Sequence, residues 1–184
     1  MPHFNRHTIV RAFKKLIGIN AYPSLAEYRS WGVKIGENTE ILRSQLDNPA
    51  PWLISIGNDC MITHATILTH DASMNKKMKW VKFGRVLIGN NVFVGYDAII
   101  LPNTVIGDNC VIGAGAVVSG NIPSNSVLAG NPAKIVCSYD SFIENQQKRM
   151  ADTICIPKLP ANLSTEEKDQ VLKACNNGSY VYLK

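Results

Sequence analysis

At 184 residues the chain has room for one domain with a substantial core and small terminal additions. Charged residues make up 18% and apolar residues 46%, as in ordinary soluble proteins, and no run approaches the roughly 18 apolar residues of a membrane span. A formal net charge of +5 suits an anionic ligand, but it is too small and too evenly spread to imply nucleic acid, for which no motif is present either. The N-terminus lacks the long apolar stretch and small-residue cleavage site of a signal peptide, so the expected compartment is the cytoplasm. The cysteines (Cys60, Cys110, Cys137, Cys155, Cys175) are scattered and form no C-x-x-C pair. They read as reduced thiols, and no metal site is expected.

In chain order, residues 6–17 place Ile9, Phe13, Leu16 and Ile17 on one helical face beside Arg6, Arg11, Lys14 and Lys15. Such a helix either caps the core that follows or makes a peripheral contact with an anionic membrane. From Ile35 a period of six is legible: Ile35-Gly36 opens one unit and Ile41 the next. A Pro-containing stretch, Asp47 to Trp52, breaks the phase. Ile56-Gly57, Ile62 and Leu68 then resume it. A second break near 72–85, rich in Lys and Met, reads as a loop leaving the repeat.

The pattern is regular from Ile88 onward. The first position of successive hexads is Ile88, Val94, Ile100, Ile106, Ile112 and Val118, aliphatic without a miss. The fifth is mostly small: Val92, Ala98, Thr104, Cys110, Ala116 and Ile122. A period of six fits neither a 3.6-residue helix nor a free hairpin. It fits a short strand plus a tight corner, three units completing one turn of a triangular prism. Each aliphatic residue then stacks on its counterpart one turn away, and the coils together bury a core that no single unit can. Beyond Pro132, residues 139–150 suit a helix, and Ser164-Thr165-Glu166-Glu167 is a capping box opening another. Three segments result: 1–32 helical, 33–137 the repeat domain, and 138–184 a helical extension.

The stretches IGNNVFVG, LPNTVIGDNCVIGAGAVV and AGNPAK resemble the hexapeptide-repeat acyltransferase family. The similarity is to its galactoside, maltose and polysaccharide O-acetyltransferases and spans about residues 33–137. The resemblance implies a left-handed parallel β-helix, a homotrimer with active sites between subunits, and acetyl-CoA as co-substrate. The implied reaction is O-acetylation of a sugar hydroxyl in capsule or lipopolysaccharide synthesis. N-acetylation of an amino sugar or nucleotide sugar is the alternative within the family.

Transfer of acetyl from a thioester to a hydroxyl needs a base that titrates near neutrality, and histidine has that property. His3 and His7 precede the repeats. His64 and His70 lie one unit apart, so they face different sides of the prism. His70 closes a unit immediately before the loop, where the resembling enzymes carry their catalytic histidine, and is the expected general base. Asp71 is a candidate to orient it, although neighbouring side chains in a strand point oppositely. The resemblance further implies CoA contacts at Phe93, Tyr96, Ala114 and Ser119. Gly120 and Cys137 stand where relatives often have lysine and arginine, which leaves Lys134 as the cation for the nucleotide phosphates. Asn48 lies in the interval where relatives hold an asparagine near the acceptor, and Asp71 is its companion as a substrate-binding candidate. Two rivals share the fold. A γ-class carbonic anhydrase needs a third histidine ligand that the repeats lack, and a non-catalytic scaffold needs no histidine at all.

Overall fold

The computed structural model describes residues 22–184. The helix expected over residues 6–17, with its membrane contact, and both His3 and His7 lie outside that range. The chain divides into two compact units, the first ending at Ser138 and the second running from Tyr139 to Lys184.

The described part of the first unit opens with α1 (Leu25–Ser30), capped by Ser24, whose hydroxyl accepts from the Glu27 N–H. Four coils follow. Coil one holds β1 (Lys34–Ile35), β2 (Glu40–Leu42) and β3 (Gln45–Leu46), and coil two holds β4 (Ile54–Ile56), β5 (Met61–Thr63) and β6 (Thr66–Ile67). Next come β7 (His70–Asp71), a single helical turn α2 (Asn75–Met78) and β8 (Lys82–Phe83). Coil three holds β9 (Val86–Ile88), β10 (Val92–Val94) and β11 (Ile99–Ile100), and coil four β12 (Thr104–Ile106), β13 (Cys110–Ile112) and β14 (Val117–Val118). The stack ends with β15 (Asn121–Ile122), β16 (Ser126–Ala129) and β17 (Lys134–Ser138).

Strands one coil apart pair in parallel, giving three sheets. Sheet one is β1-β4-β9-β12-β15, sheet three is β3-β6-β11-β14, and sheet two runs from β2 through β5, β10, β13 and β16 to an antiparallel β17. This is a parallel β-helix, and the hexad columns are its interior. Ile88, Val94 and Ile100 pair with Ile106, Ile112 and Val118. All six are buried, as are the small Ala98, Thr104, Cys110 and Ala116 between them.

One sequence assignment needs correction. Leu68 does not resume the aliphatic column. Ile67 pairs with Ile100 and is fully buried, whereas Leu68 lines a surface cleft. The corner between β5 and β6 is one residue shorter than a hexad allows, so the side chains after it change face, as any one-residue slip in a strand requires.

The three corners differ. Between sheets one and two, the positive-φ residues are Asn38, Asp59, Asn91, Asn109 and Asn125, the types that tolerate the left-handed region best. Beside them a ladder of side chains joins each coil to the next. The Glu37 N–H donates to Asn58 Oδ1, that of Asn58 to Asn90 Oδ1, that of Asn90 to Asp108 Oδ1, and that of Asp108 to Ser124 Oγ. These rungs join residues 21, 32, 18 and 16 positions apart, so the coils differ in length although the corner does not. The surplus residues sit at one place, the corner between sheets three and one. There coil one carries Asp47–Leu53, ending in a 3-10 turn, and coil two carries the β7–α2–β8 hairpin, whose strands pair only with each other.

In the second unit, α3 (Tyr139–Ala151) precedes β18 (Ile154–Ile156), α4 (Thr165–Asn176) and β19 (Val181–Leu183), with β18 and β19 parallel. Ser164 and Glu167 form the reciprocal cap of α4.

Candidate active site

The corner that absorbs the insertions also holds a cleft of about 870 Å³. Its walls come from successive levels of that corner. They are Leu68, His70 to Ala72 and Lys82 to Gly84 at the hairpin base, Leu101 to Asn103 above, and Ser119 above that. The hairpin neck is held by the Gly84 N–H donating to the Thr69 carbonyl at 2.8 Å. Gly84 is required there, because a Cβ would stand 2.5 Å from the Asn103 nitrogen.

His70 opens the hairpin and faces this cleft. Its Nδ1 lies 2.6 Å from Oδ2 of Asp47, a carboxylate whose side chain is only 6% exposed. The same oxygen accepts from the Thr69 N–H and the Thr69 hydroxyl, each at 2.7 Å. Burial pushes the Asp47 carboxyl up, but the bonds from His70 and Thr69 together outweigh it and hold the group below its ordinary value. An ionised carboxylate can only accept, so Nδ1 must carry the proton of this bond. In the neutral ring Nε2 then keeps its lone pair, the form a base requires. The ring also rests against Phe83, its cross-strand neighbour, at a centroid distance of 5.9 Å. Together these contacts fix the tautomer and the orientation of His70.

Asp47 therefore holds the position the sequence offered to Asp71. Asp71 makes no bond to the His70 ring and is bonded within the hairpin instead. Its Oδ2 meets Lys82 Nζ at 2.9 Å, and its Oδ1 accepts from the Ser73 N–H at 2.8 Å. The Ser73 bonds and Lys82 hold its carboxyl well below the usual range. It does line the cleft, as does Ser119. Asn48 is exposed, next to Asp47 in the chain.

His64 belongs to the corner between sheets two and three, not to this cleft. Its ring stacks on Tyr96 at 4.2 Å and its Nδ1 meets Asp97 Oδ1 at 2.9 Å. Among the described residues, no three His, Cys, Asp or Glu side chains converge as metal ligands do.

Comparison with known proteins agrees with this architecture. Residues 85–120 match the family model described as bacterial transferase hexapeptide (six repeats). Protein CapG of Staphylococcus aureus is 41% identical over 140 residues, covering 72% of this chain and 80% of that protein. The chain belongs to the hexapeptide-repeat acetyltransferase family. Galactoside O-acetyltransferase of Escherichia coli is 31% identical over 140 residues, covering 71% of this chain and 67% of that enzyme. A solved maltose O-acetyltransferase from Clostridium difficile superposes with a TM-score of 0.50 at 32% identity, covering 58% of this chain and 59% of that one.

The remaining positions singled out in this acetyltransferase from its sequence are distributed over other faces. Phe93 projects from the middle of sheet two and is 40% exposed. Tyr96 and Ala114 lie at successive levels of the corner between sheets two and three, joined by the bond from the Gly115 N–H to the Tyr96 carbonyl. Lys134 starts the antiparallel β17. Only Ser119 shares a cleft with His70. No helix among the described residues is long and apolar enough to cross a membrane.

Proposed function

We propose that the enzyme moves acetyl from acetyl-CoA to a sugar hydroxyl, with His70 as general base and Asp47 as its positioning residue. The observation that carries this reading is the 2.6 Å contact between His70 Nδ1 and the buried Asp47, with His70 on the wall of a cleft large enough for a sugar. The acceptor hydroxyl gives its proton to Nε2 as its oxygen attacks the thioester carbonyl. The tetrahedral intermediate then collapses, the C–S bond breaks, and the imidazolium returns the proton to the departing CoA thiolate. Asp47 stabilises the imidazolium in between, as the carboxylate of a triad does. The sugars named for the galactoside and maltose enzymes support a carbohydrate acceptor, here on a glycan or its precursor.

Ser119 is proposed to contact the CoA arm from the wall of the His70 cleft, with Asp71 and Asn48 toward the acceptor. Phe93, Tyr96, Ala114 and Lys134 belong to other faces of the prism, so they complete a CoA site only if a second protomer meets the His70 corner. We accordingly propose a homotrimer with its sites between protomers.

The test is thiol release from acetyl-CoA with a panel of saccharides. His70→Ala is expected to lower kcat by about 10²–10⁴-fold while acetyl-CoA still binds. Undiminished turnover in that variant rules His70 out as the base.

A further inference from the structure

The hairpin beyond the cleft has a composition that the reaction does not require. Between Ala72 and Phe83 there is no acidic residue, and Lys76, Lys77, Lys79 and Lys82 fall within seven positions. Lys82 is paired with Asp71. Lys76, Lys77 and Lys79 are exposed and have no carboxylate partner among the described residues. The Lys79 ammonium folds back only onto the Lys76 carbonyl, at 3.1 Å. Trp80 is 71% exposed and Phe83 51%, so two exposed aromatic rings share the hairpin with three cations that have no carboxylate partner.

This array is continuous with the active site. Phe83 and Lys82 are cleft walls, and Phe83 is the cross-strand partner of His70. A ligand lying along the hairpin from Trp80 toward Phe83 is thereby led to the base. Exposed aromatic faces offer flat apolar platforms to sugar rings, and the adjacent ammoniums attract negative charge. A neutral acceptor has no use for the ammoniums, and a bare anion has no use for the indole. Both features have a use when one ligand carries rings and charge together.

We propose that the β7–α2–β8 hairpin is the acceptor-reading element and that the acceptor is an anionic saccharide, bearing carboxylate or phosphate on or beside its sugar rings. This rests on the sugar-acetylating reading above and names its substrate class. The saccharide stacks on Trp80, its charge is held by Lys76, Lys77 and Lys79, and its hydroxyl enters the cleft at Phe83. Because these cations are exposed, their contribution is mainly to capture and is sensitive to ionic strength.

The test measures binding directly, so that it does not depend on turnover. Full-length protein is titrated with oligogalacturonate and with maltohexaose, at low and at physiological salt, followed by isothermal calorimetry. The comparison is wild type against Lys76→Ser/Lys77→Ser/Lys79→Ser and against Trp80→Ser, with acetyl-CoA titrated in parallel. Oligogalacturonate is expected to bind more tightly than maltohexaose, to weaken about tenfold in the triple-lysine variant, and to lose its salt dependence there. Trp80→Ser weakens both saccharides, and acetyl-CoA affinity stays unchanged in each variant. Equal affinity for the two saccharides, or an unaltered one in the lysine variant, overturns the proposal and leaves the acetyl-transfer reading intact. Loss of acetyl-CoA affinity instead assigns the lysines to the nucleotide and also overturns it. So does sedimentation with phosphatidylglycerol vesicles that depends on these lysines in a protein that binds no oligogalacturonate. Binding as expected in a protein that acetylates no saccharide upholds the site and sinks the reaction.

Discussion

Two corners of the same prism solve opposite problems. The corner between sheets one and two repeats one solution at every level, a left-handed Asn or Asp beside a side-chain rung to the next coil. It is built for stacking. The corner between sheets three and one never repeats itself. Each early coil leaves it by a different path, through Asp47–Leu53 and then through the hairpin. There the buried Asp47 carboxylate meets His70. Periodicity supplies the stability of the domain, and interruption of the period supplies the corner where we propose its chemistry takes place.

If that division holds, substitutions at the two corners should separate cleanly. The largest effect belongs to the irregular corner. Asp47→Ala is expected to lower kcat about a hundredfold, equivalent to about 2.7 kcal/mol. KM for acetyl-CoA should hardly change, and the pH dependence of kcat should shift along with its height. An effect confined to expression or melting temperature would instead make Asp47 a structural carboxylate. Next comes Gly89 in the repeating corner, where an added Cβ would meet Asp108 Oδ1 at 2.3 Å and the Gly107 carbonyl carbon at 2.8 Å. Gly89→Ala should destabilise the fold by about 2–3 kcal/mol in denaturant titration, with the specific activity of the folded fraction unchanged. A kinetic defect there would break the comparison.

Smaller effects sharpen it. Asn90→Ala removes the acceptor for the Asn58 N–H and a donor to Asp108. The expected loss is about 1 kcal/mol of stability and no activity. The mildest effect is on pH. The folded Asp47 carboxyl lies below its ordinary value of 3.8, so its contribution to stability is complete above that value and fades as pH falls through the folded pKa. Acid titration of stability should therefore be shallower in Asp47→Asn than in wild type over that window. Identical slopes would mean the bonds from Thr69 and His70 exert no net pull.

The sequence discloses these corners unequally, for a physical reason. An aliphatic residue at every sixth position must face inward to be buried, so Ile88 through Val118 announce the prism. The short corner before β6 carries no such mark. Thr66, Ile67, Leu68 and Thr69 are all compatible with a strand, and only the pairing of Ile67 with Ile100 decides which of them turns inward. Asp47 was hidden for a related reason. It stands 23 positions from His70, close to one coil, but the coil length there is known only once both breaks in phase are measured. Asp71 drew attention by adjacency, and adjacency in an extended chain sends side chains to opposite sides. The one signal that favours Asp47 is a carboxylate about one turn before the histidine.

The upper end of the stack has its own significance. A parallel coil exposes a row of unpaired N–H and C=O groups on its last strand, an open template onto which another chain can add. Sheet two ends on a strand of the opposite direction, so its outer edge is not a copy of the rungs below. β17 folds back antiparallel across β16, with a register shift between Val127 and Leu128. At the other end Tyr28 of α1 is buried and donates to the Ser44 carbonyl at 2.9 Å. A stack of similar rungs thus ends, at sheet two, on a strand unlike them. Removing β17 should bare the parallel edge of β16 and favour end-to-end association, read as concentration-dependent sedimentation.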